Sequence, residues 1–409
     1  MKILVLNSGS STLKAGLFEI QGAPPEDPAA PLWEGKIEWE GVRAEIRTST
    51  PSGNRVQKSI ENESRRAGTE ELLSNLWSGS AALLRGPSEI AIVGHRIVHG
   101  GEEFSEPAFV TAHLKGVLQR TSQFAPLHNP AGLEGIETIE QILGAVPQVA
   151  VFDTAFHRTI PEAAAIYPGP YDWVARGIRR YGFHGINHEY CAQRAARLLG
   201  RGLSSSKLIT CHLGNGGSLA AVRDGKSIDT TMGFTPLEGL MMGTRSGSID
   251  PGILTFLMRQ DHATAEQLDD LLNKKSGLAG ISGISNDMRE IVAAAKAGNA
   301  RAKLAFDMFI HRLTRSIGAM AAVLGGVDAI VFTAGIGEHS TEVRAATCAN
   351  LEFLGVRIDA SKNSEKLSDR DISAADSRVR ILVIEAQEDW AIARVCWKLA
   401  RATEGARVS

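Results

Sequence analysis

The sequence predicts an α/β protein of two domains related by an internal duplication. Three observations predict it. The chain has 409 residues, more than one ordinary hydrophobic core holds. Strand-like apolar runs alternate with stretches of helical apolar spacing along most of its length. A strand, small-residue turn, strand unit near the start also returns in mid-chain. Asn7-Ser-Gly-Ser-Ser-Thr-Leu-Lys-Ala and Leu213-Gly-Asn-Gly-Gly-Ser-Leu-Ala-Ala share a frame that puts Thr12 on Ser218, Leu13 on Leu219 and Ala15 on Ala221. A duplicated domain produces such an echo; two unrelated hairpins remain the alternative.

The elements follow in order. Residues 2–7 are a short apolar strand, 8–12 a tight polar turn and 13–19 the returning strand of a hairpin. Residues 22–31, rich in Pro and Ala, form a surface loop. Residues 33–49 alternate and join the same sheet. A helix is expected over 70–84, a buried strand over 90–98, a helix over 133–143 and a strand over 149–153. The second unit opens with a helix over 185–199 and a strand over 207–212. Residues 264–274 read as a helix with Thr264 as N-cap and Gln267 three residues on, a capping-box pattern. Helices over 287–298 and 301–324 follow, then strands over 328–332 and 380–384 and a last helix over 390–402.

Composition narrows the function classes. Hydrophobic residues make up 43% and charged residues 22%, as in a soluble globular protein. The formal net charge is −2 and no basic stripe occurs, which argues against a nucleic-acid partner. The four cysteines (Cys191, Cys211, Cys348, Cys396) form no CxxC pair; they read as reduced thiols of a cytoplasmic protein and not as a structural zinc site. The start has an apolar run of only four residues, and no apolar stretch reaches about 18 residues, so neither a signal peptide nor a membrane partner is expected.

The richest segment is 232–251, with four glycines, two prolines and one arginine, Arg245. Gly and Pro keep it out of regular structure, and its Met, Phe, Leu and Ile side chains keep it half-buried. A rigid irregular loop holding one cation suits an anion. Neither common nucleotide motif is complete. Gly225-Lys226-Ser227 lacks the first glycine of a P-loop, because residue 220 is Ala, and Gly335-Ile-Gly has two of the three glycines of a dinucleotide fingerprint. Three strands do end in small-residue turns, at 7–12, 214–218 and 335–337. Taken singly each is an ordinary β-turn; together they suggest backbone N–H groups gathered around a nucleotide. Arg96, at a strand end before Gly-Gly, suits forked contact with a carboxylate or phosphate, or a structural ion pair. Asp153 ends an apolar strand, where ligands of α/β units sit. His184 lies between two glycines and reads as a site residue or a satisfied core histidine. Asp287 and Arg289 fit a helix N-cap and first turn. Glu388, before the last helix, is a candidate hard-metal ligand or a charge complementing the helix N-terminus.

With these pieces in place, the chain resembles the acetate and propionate kinase family. The resemblance rests on Asn7-Ser-Gly-Ser-Ser with Lys14, Gly94-His-Arg-Ile-Val-His-Gly-Gly, Pro126-Leu-His-Asn-Pro, Phe152-Asp-Thr-Ala-Phe-His, Tyr181-Gly-Phe-His-Gly, His212-Leu-Gly-Asn-Gly, segment 232–251, Ser285-Asn-Asp-Met-Arg and Phe332-Thr-Ala-Gly-Ile-Gly-Glu. It implies two duplicated actin-like, sugar-kinase-like domains with a central cleft: residues 1–154, completed by the C-terminal helix 388–403, and a nucleotide-binding domain over 155–387. It implies a cytoplasmic homodimer acting on acetate and ATP, giving acetyl phosphate and ADP by direct in-line transfer.

The implied roles carry over residue by residue. Arg96 and Arg245 bind the carboxylate or acyl phosphate and the transferring phosphoryl group, with His184 beside them. Asp153 takes the place of the family's catalytic acid. Asn7 and Glu388 hold Mg²⁺, or Mn²⁺ in its place. Lys14, His212, Leu213, Gly214, Asn215, Gly216, Asp287, Met288, Arg289, Gly335, Ile336, Gly337, Glu338 and His339 contact ATP. Val98, Leu127, Phe183 and Pro236 line the pocket for the substrate methyl. The chain departs from the family pattern at Thr12, Asn187, His339 and the run Glu385-Ala-Gln-Glu-Asp-Trp. A carboxylate nucleophile is already ionised at neutral pH, so Asp153 is expected to act through the metal or by orienting neighbours rather than as a base. The alternatives are a propionate or broad short-chain acid kinase, a sugar kinase, and an actin-like nucleotide-dependent assembly protein. A sugar kinase needs a polar pocket and a base; an assembly protein has no use for Arg96, His184 and Arg245 together.

Overall fold

A computed structural model describes the chain except for residue 10, residues 62–63, 80–81, 123–127 and residue 409. Leu127, expected in the methyl pocket, lies outside the described residues. The chain divides into two compact units: Met1–Ala155 with Gln387–Ser409, and Phe156–Ala386.

The first unit is built on eight strands: β1 (Lys2–Ser8), β2 (Thr12–Glu19), β3 (Trp33–Glu40), β4 (Arg43–Ser49), β5 (Arg55–Glu61), β6 (Ile92–Ile97), β7 (Ala108–Phe109) and β8 (Gln148–Phe152). Their order across the sheet is β5-β4-β3-β2-β1-β6-β8-β7. Antiparallel hairpins run from β5 to β1, after which β1, β6 and β8 are parallel. Ile3, Leu4, Val5 and Leu6 of β1 are all buried, as expected for a central strand covered on both faces. The C-terminal helix Glu388–Val408 belongs to this unit. It packs on β6 at Gly94, where a Cβ would lie 2.6 Å from both Cys396 Sγ and Ile392 Cγ2. Only glycine lets the helix approach so closely.

The second unit has six strands: β9 (Lys207–Leu213), β10 (Gly217–Arg223), β11 (Lys226–Thr230), β12 (Ala329–Thr333), β13 (Arg370–Asp371) and β14 (Arg380–Val383), in the order β11-β10-β9-β12-β14-β13. β9 is antiparallel to β10 and parallel to β12, and β12 is parallel to β14. Strand for strand this repeats β3-β2-β1-β6-β8-β7. The turns differ, however. Ser8 pairs with Leu13 in the first hairpin, and Leu213 with Gly217 in the second. The shared sequence frame therefore holds along one arm of each hairpin and slips by three residues on the other.

Several elements depart from the expectation. The helix expected over 70–84 runs from Arg65 to Ser74, because Ser64 caps it by accepting from the Ala67 N–H at 3.0 Å. A helix at Ala112–Thr121, capped by Thr111, and strand β5 had no forecast. The helix expected from 133 begins at Asn129. The capping box at Thr264 and Gln267 is present. The 335–337 turn is instead the body of a short helix, Ala334–His339. Asp224 and Gly225, both at positive φ, form the tight turn between β10 and β11, a hairpin connection with no resemblance to a phosphate loop.

Candidate active site

In the first unit, the sheet brings three strand ends and one helix start together. Asn7 and Arg96 are direct neighbours in the parallel β1–β6 register, and Asp153 follows the last residue of β8. Arg96 grips Asp153 with a two-pronged pair, Nη2 to Oδ2 at 2.7 Å and Nε to Oδ1 at 3.2 Å. Its Nη1 donates to Asn7 Oδ1 at 3.3 Å and lies 3.5 Å from Glu388 Oε2. Asp153 is 1% exposed. Burial acts to lower the Arg96 pKa, but the carboxylates of Asp153 and Glu388 outweigh it and raise the pKa overall. Lys14 is exposed on β2, directly across from Asn7. Val98 is half-buried just past β6.

The oxygens of Asn7 and Glu388 converge on one guanidinium nitrogen. A neutral carbonyl oxygen and a carboxylate are the hard donors Mg²⁺ accepts when it keeps waters and phosphate oxygens as its other ligands. The donor chemistry therefore fits. Among the described residues no group of three or more His, Cys, Asp and Glu side chains forms an all-protein metal cage.

In the second unit, segment 232–251 is tied down by its backbone. Gly243 N–H donates to Asn215 O at 3.0 Å, Ser248 N–H to Gly239 O at 3.0 Å and Met242 N–H to Arg245 O at 3.1 Å. Gly247 has φ +68, and a Cβ there would lie 2.2 Å from Leu240 O; these contacts explain how a loop without regular structure holds one shape. Arg245 is the cation so held. Its Nη1 donates to Pro236 O at 3.2 Å and lies 3.8 Å from the Met242 sulfur. Among the described residues no carboxylate comes within ion-pair distance of it, and burial lowers its pKa. A desolvated cation without a counter-charge costs stability unless an anion arrives.

His184 stands beside it. It adopts φ 57 at the N-terminus of helix Gly185–Leu198, a left-handed conformation rare for a non-glycine residue. Its ring stacks on that of His212, with centroids 4.0 Å apart and planes at 11°. Gly216 keeps the approach open: a methyl there would lie 3.4 Å from Arg245 Nη1 and 3.7 Å from His184 Nε2. Phe183 is 1% exposed and belongs mainly to the core; Pro236 is half-buried.

A cavity of about 830 Å³ opens next to this group, lined by Gly214, Asn215, Asp287, Met288, Arg289, Gly335, Ile336 and His339 among others. It thus gathers eight of the residues expected around ATP. Lys14, His212, Leu213, Gly216, Gly337 and Glu338 do not line it. Glu338 faces a separate cavity of about 590 Å³, shared with Arg344 and Arg370, and its carboxylate accepts from the Ala386 N–H at 2.9 Å. Asp287 is the N-cap of helix Met288–Lys296, and Arg289 is folded onto it. Sequence reasoning missed Asn286, Val292, Ala293, Lys296, Ser340 and Glu342 in the cavity wall. Val292 and Lys296, spaced four and eight residues from Met288 along one helix, carried the only available signal.

A desolvated arginine with no carboxylate beside it among the described residues, a glycine turn and a nucleotide-sized cavity on a duplicated α/β frame define a phosphoryl-transfer protein of the kinase type. The model of the acetokinase family matches residues 2–394, and the chain belongs to that family. It is 59% identical over 401 residues to the acetate kinase of Cyanothece sp., covering 98% of each chain. Two solved structures agree. The acetate kinase of Porphyromonas gingivalis superposes with a TM-score of 0.90 at 41% identity, covering 98% of this chain and 99% of that one. A propionate kinase from Francisella tularensis gives 0.89 at 38% identity, covering 97% and 99%.

Proposed function

We propose that the protein is an acetate kinase, which transfers the γ-phosphoryl group of ATP to acetate and reverses the reaction with acetyl phosphate and ADP. Family membership supports the reading, and Arg245 is the observation that carries it: a cation poised for an anion that the described residues do not supply. In phosphoryl transfer the protein positions the reactants and stabilises charge on the equatorial oxygens. Arg245 and His184 donate to those oxygens, and Arg96 orients the attacking carboxylate. Both Asp153 oxygens are engaged by Arg96, which favours an orienting role over proton acceptance. Asn7 and Glu388 hold Mg²⁺ or Mn²⁺, which neutralises phosphate charge when bound. The 830 Å³ cavity takes the nucleoside, and Val98 borders the substrate methyl group.

The test is trapping of acyl phosphate as hydroxamate, with acetate, propionate and butyrate compared under ATP and Mg²⁺. Acetate as the best substrate supports the assignment; a higher kcat/KM for propionate overturns it. Release of phosphate without acyl phosphate also sinks it. We also infer a cytoplasmic homodimer. Four free cysteines suit a reducing compartment, and no described helix is long and apolar enough to cross a membrane. Helix Gly252–Gln260 buries none of its residues and exposes Ile253, Phe256 and Met258, a face suited to a second copy. Sedimentation of the wild type as a dimer and of Phe256→Glu as a monomer is expected; a monomeric wild type refutes it.

A further inference from the structure

A buried chain of hydroxyls and imidazoles ends on His184. Thr210 Oγ1 meets His188 Nδ1 at 2.7 Å, His188 Nε2 meets Ser218 Oγ at 2.8 Å, and Ser218 Oγ meets His184 Nδ1 at 2.9 Å. Thr210, His188 and Ser218 are each 0% exposed. Each hydroxyl has one proton, and a neutral imidazole has one N–H. The chain can therefore run in only two directions.

In one direction, Thr210 donates to His188 Nδ1, His188 Nε2–H donates to Ser218, and Ser218 donates to His184 Nδ1. The His184 proton then sits on Nε2, the edge that faces Gly216 and Arg245. In the other direction His188 Nδ1–H donates to Thr210. The Thr210 hydroxyl proton is then left without an acceptor, because its only side-chain partner among the described residues is His188. A buried donor left unpaired is costly, so the first direction wins. Protonating His184 on both nitrogens forces the second direction and is opposed for the same reason.

We propose that Thr210, His188 and Ser218 are positioning residues that hold His184 as the neutral Nε2–H tautomer, so that it meets the phosphoryl group as a hydrogen-bond donor. Burial also keeps His188 neutral by lowering its pKa well below the usual value. His212, stacked on His184, is held alike: Asn187 Nδ2 donates to its Nδ1 at 2.8 Å, which places its proton on Nε2. That gives the Asn187 departure a use. Among the described residues, His188 on its own helix, His212 on β9 and Arg245 in the loop are titratable or charged groups that face His184, with His157 behind His188 at 5.6 Å.

The inference rests on the kinase reading only for its rate effect, and the test separates the two. Long-range ¹H–¹⁵N spectra of the full-length protein labelled at histidine should show an unprotonated His184 Nδ1 and a protonated Nε2. Ser218→Ala and Thr210→Val should give mixed tautomers, while Thr210→Ser should resemble the wild type. In turnover, Ser218→Ala should lower kcat roughly 3- to 10-fold with KM for acetate nearly unchanged, and should move the acidic limb of the rate profile upward. A wild-type His184 protonated on Nδ1, or an unchanged tautomer and rate in Ser218→Ala, overturns the proposal. Absence of acyl phosphate with every short acid refutes the kinase reading and leaves the spectra to judge this one.

Discussion

Replacing Arg245 with Ala separates function from stability. The structural duties of Arg245 are slight, a 3.2 Å bond to Pro236 O and a 3.8 Å approach to the Met242 sulfur. One net hydrogen bond contributes about 1 kcal/mol. Against that loss stands the relief of removing a desolvated cation that has no carboxylate partner among the described residues. The two effects oppose each other, and the expected change in unfolding free energy is within about 1 kcal/mol. The transition state behaves differently. Loss of one preorganised donor to developing charge costs about 3–4 kcal/mol, or roughly 100- to 1000-fold in rate. Arg245→Ala should therefore unfold at nearly the wild-type urea midpoint while its hydroxamate yield per unit time falls by that factor. Arg245→Lys should recover only part of the rate, because a point charge replaces the planar fork. Near-normal turnover in Arg245→Ala refutes the assigned role; a midpoint loss equivalent to more than about 3 kcal/mol shows that the arginine was structural.

Other perturbations follow from the same contacts. Asp153→Asn leaves Arg96 buried without its main counter-charge and should cost about 3–5 kcal/mol in chemical denaturation; a stable variant whose rate profile loses only its acidic limb would restore Asp153 as a base. Gly216→Ala should fold normally yet raise KM for ATP, because its methyl enters the space between Arg245 and His184. Gly247→Ala should instead be poorly soluble or unfold early, since its φ of +68 and the Leu240 carbonyl at 2.2 Å leave no room for a Cβ. His95, His99 and His157 are buried and held to pKa values of about 4. Their unfolded forms take up protons near pH 6.5, so the native state should lose stability as pH falls from about 6.5 toward 4, by up to about 1.4 kcal/mol per pH unit for each histidine; a urea midpoint flat between pH 7.5 and 5 contradicts this. Val98→Ala should shift preference toward propionate by about 1–3 kcal/mol in kcat/KM, and an unchanged ratio removes Val98 from the pocket.

Much of this molecule was legible from residue order alone. Apolar runs and caps report local structure, because burial and backbone hydrogen bonding act over a few residues. The hairpins, the long helix Ala300–Leu324 and the Thr264 capping box were read that way. The shared frame at Asn7 and Leu213 anticipated two sheets of matching strand order. What failed was also local in cause. A helix start moved to Ser64 because a cap residue, and not the centre of an apolar run, sets where a helix begins.

Pairings between distant residues were decided only by the tertiary structure. The sequence by itself marked Arg96, Asp153, Asn7 and Glu388 as polar residues at strand and helix ends. It could not say that one guanidinium would hold all three oxygen-bearing partners, since Arg96 and Glu388 lie 292 positions apart and meet only because Gly94 admits the C-terminal helix. Likewise, the sequence named Arg245 and His184. That Arg245 has no carboxylate partner among the described residues, and that a buried chain from Thr210 reaches the His184 ring, are properties of packing. Charge compensation and proton direction depend on what surrounds a group in three dimensions, and no spacing rule along the chain carries that information.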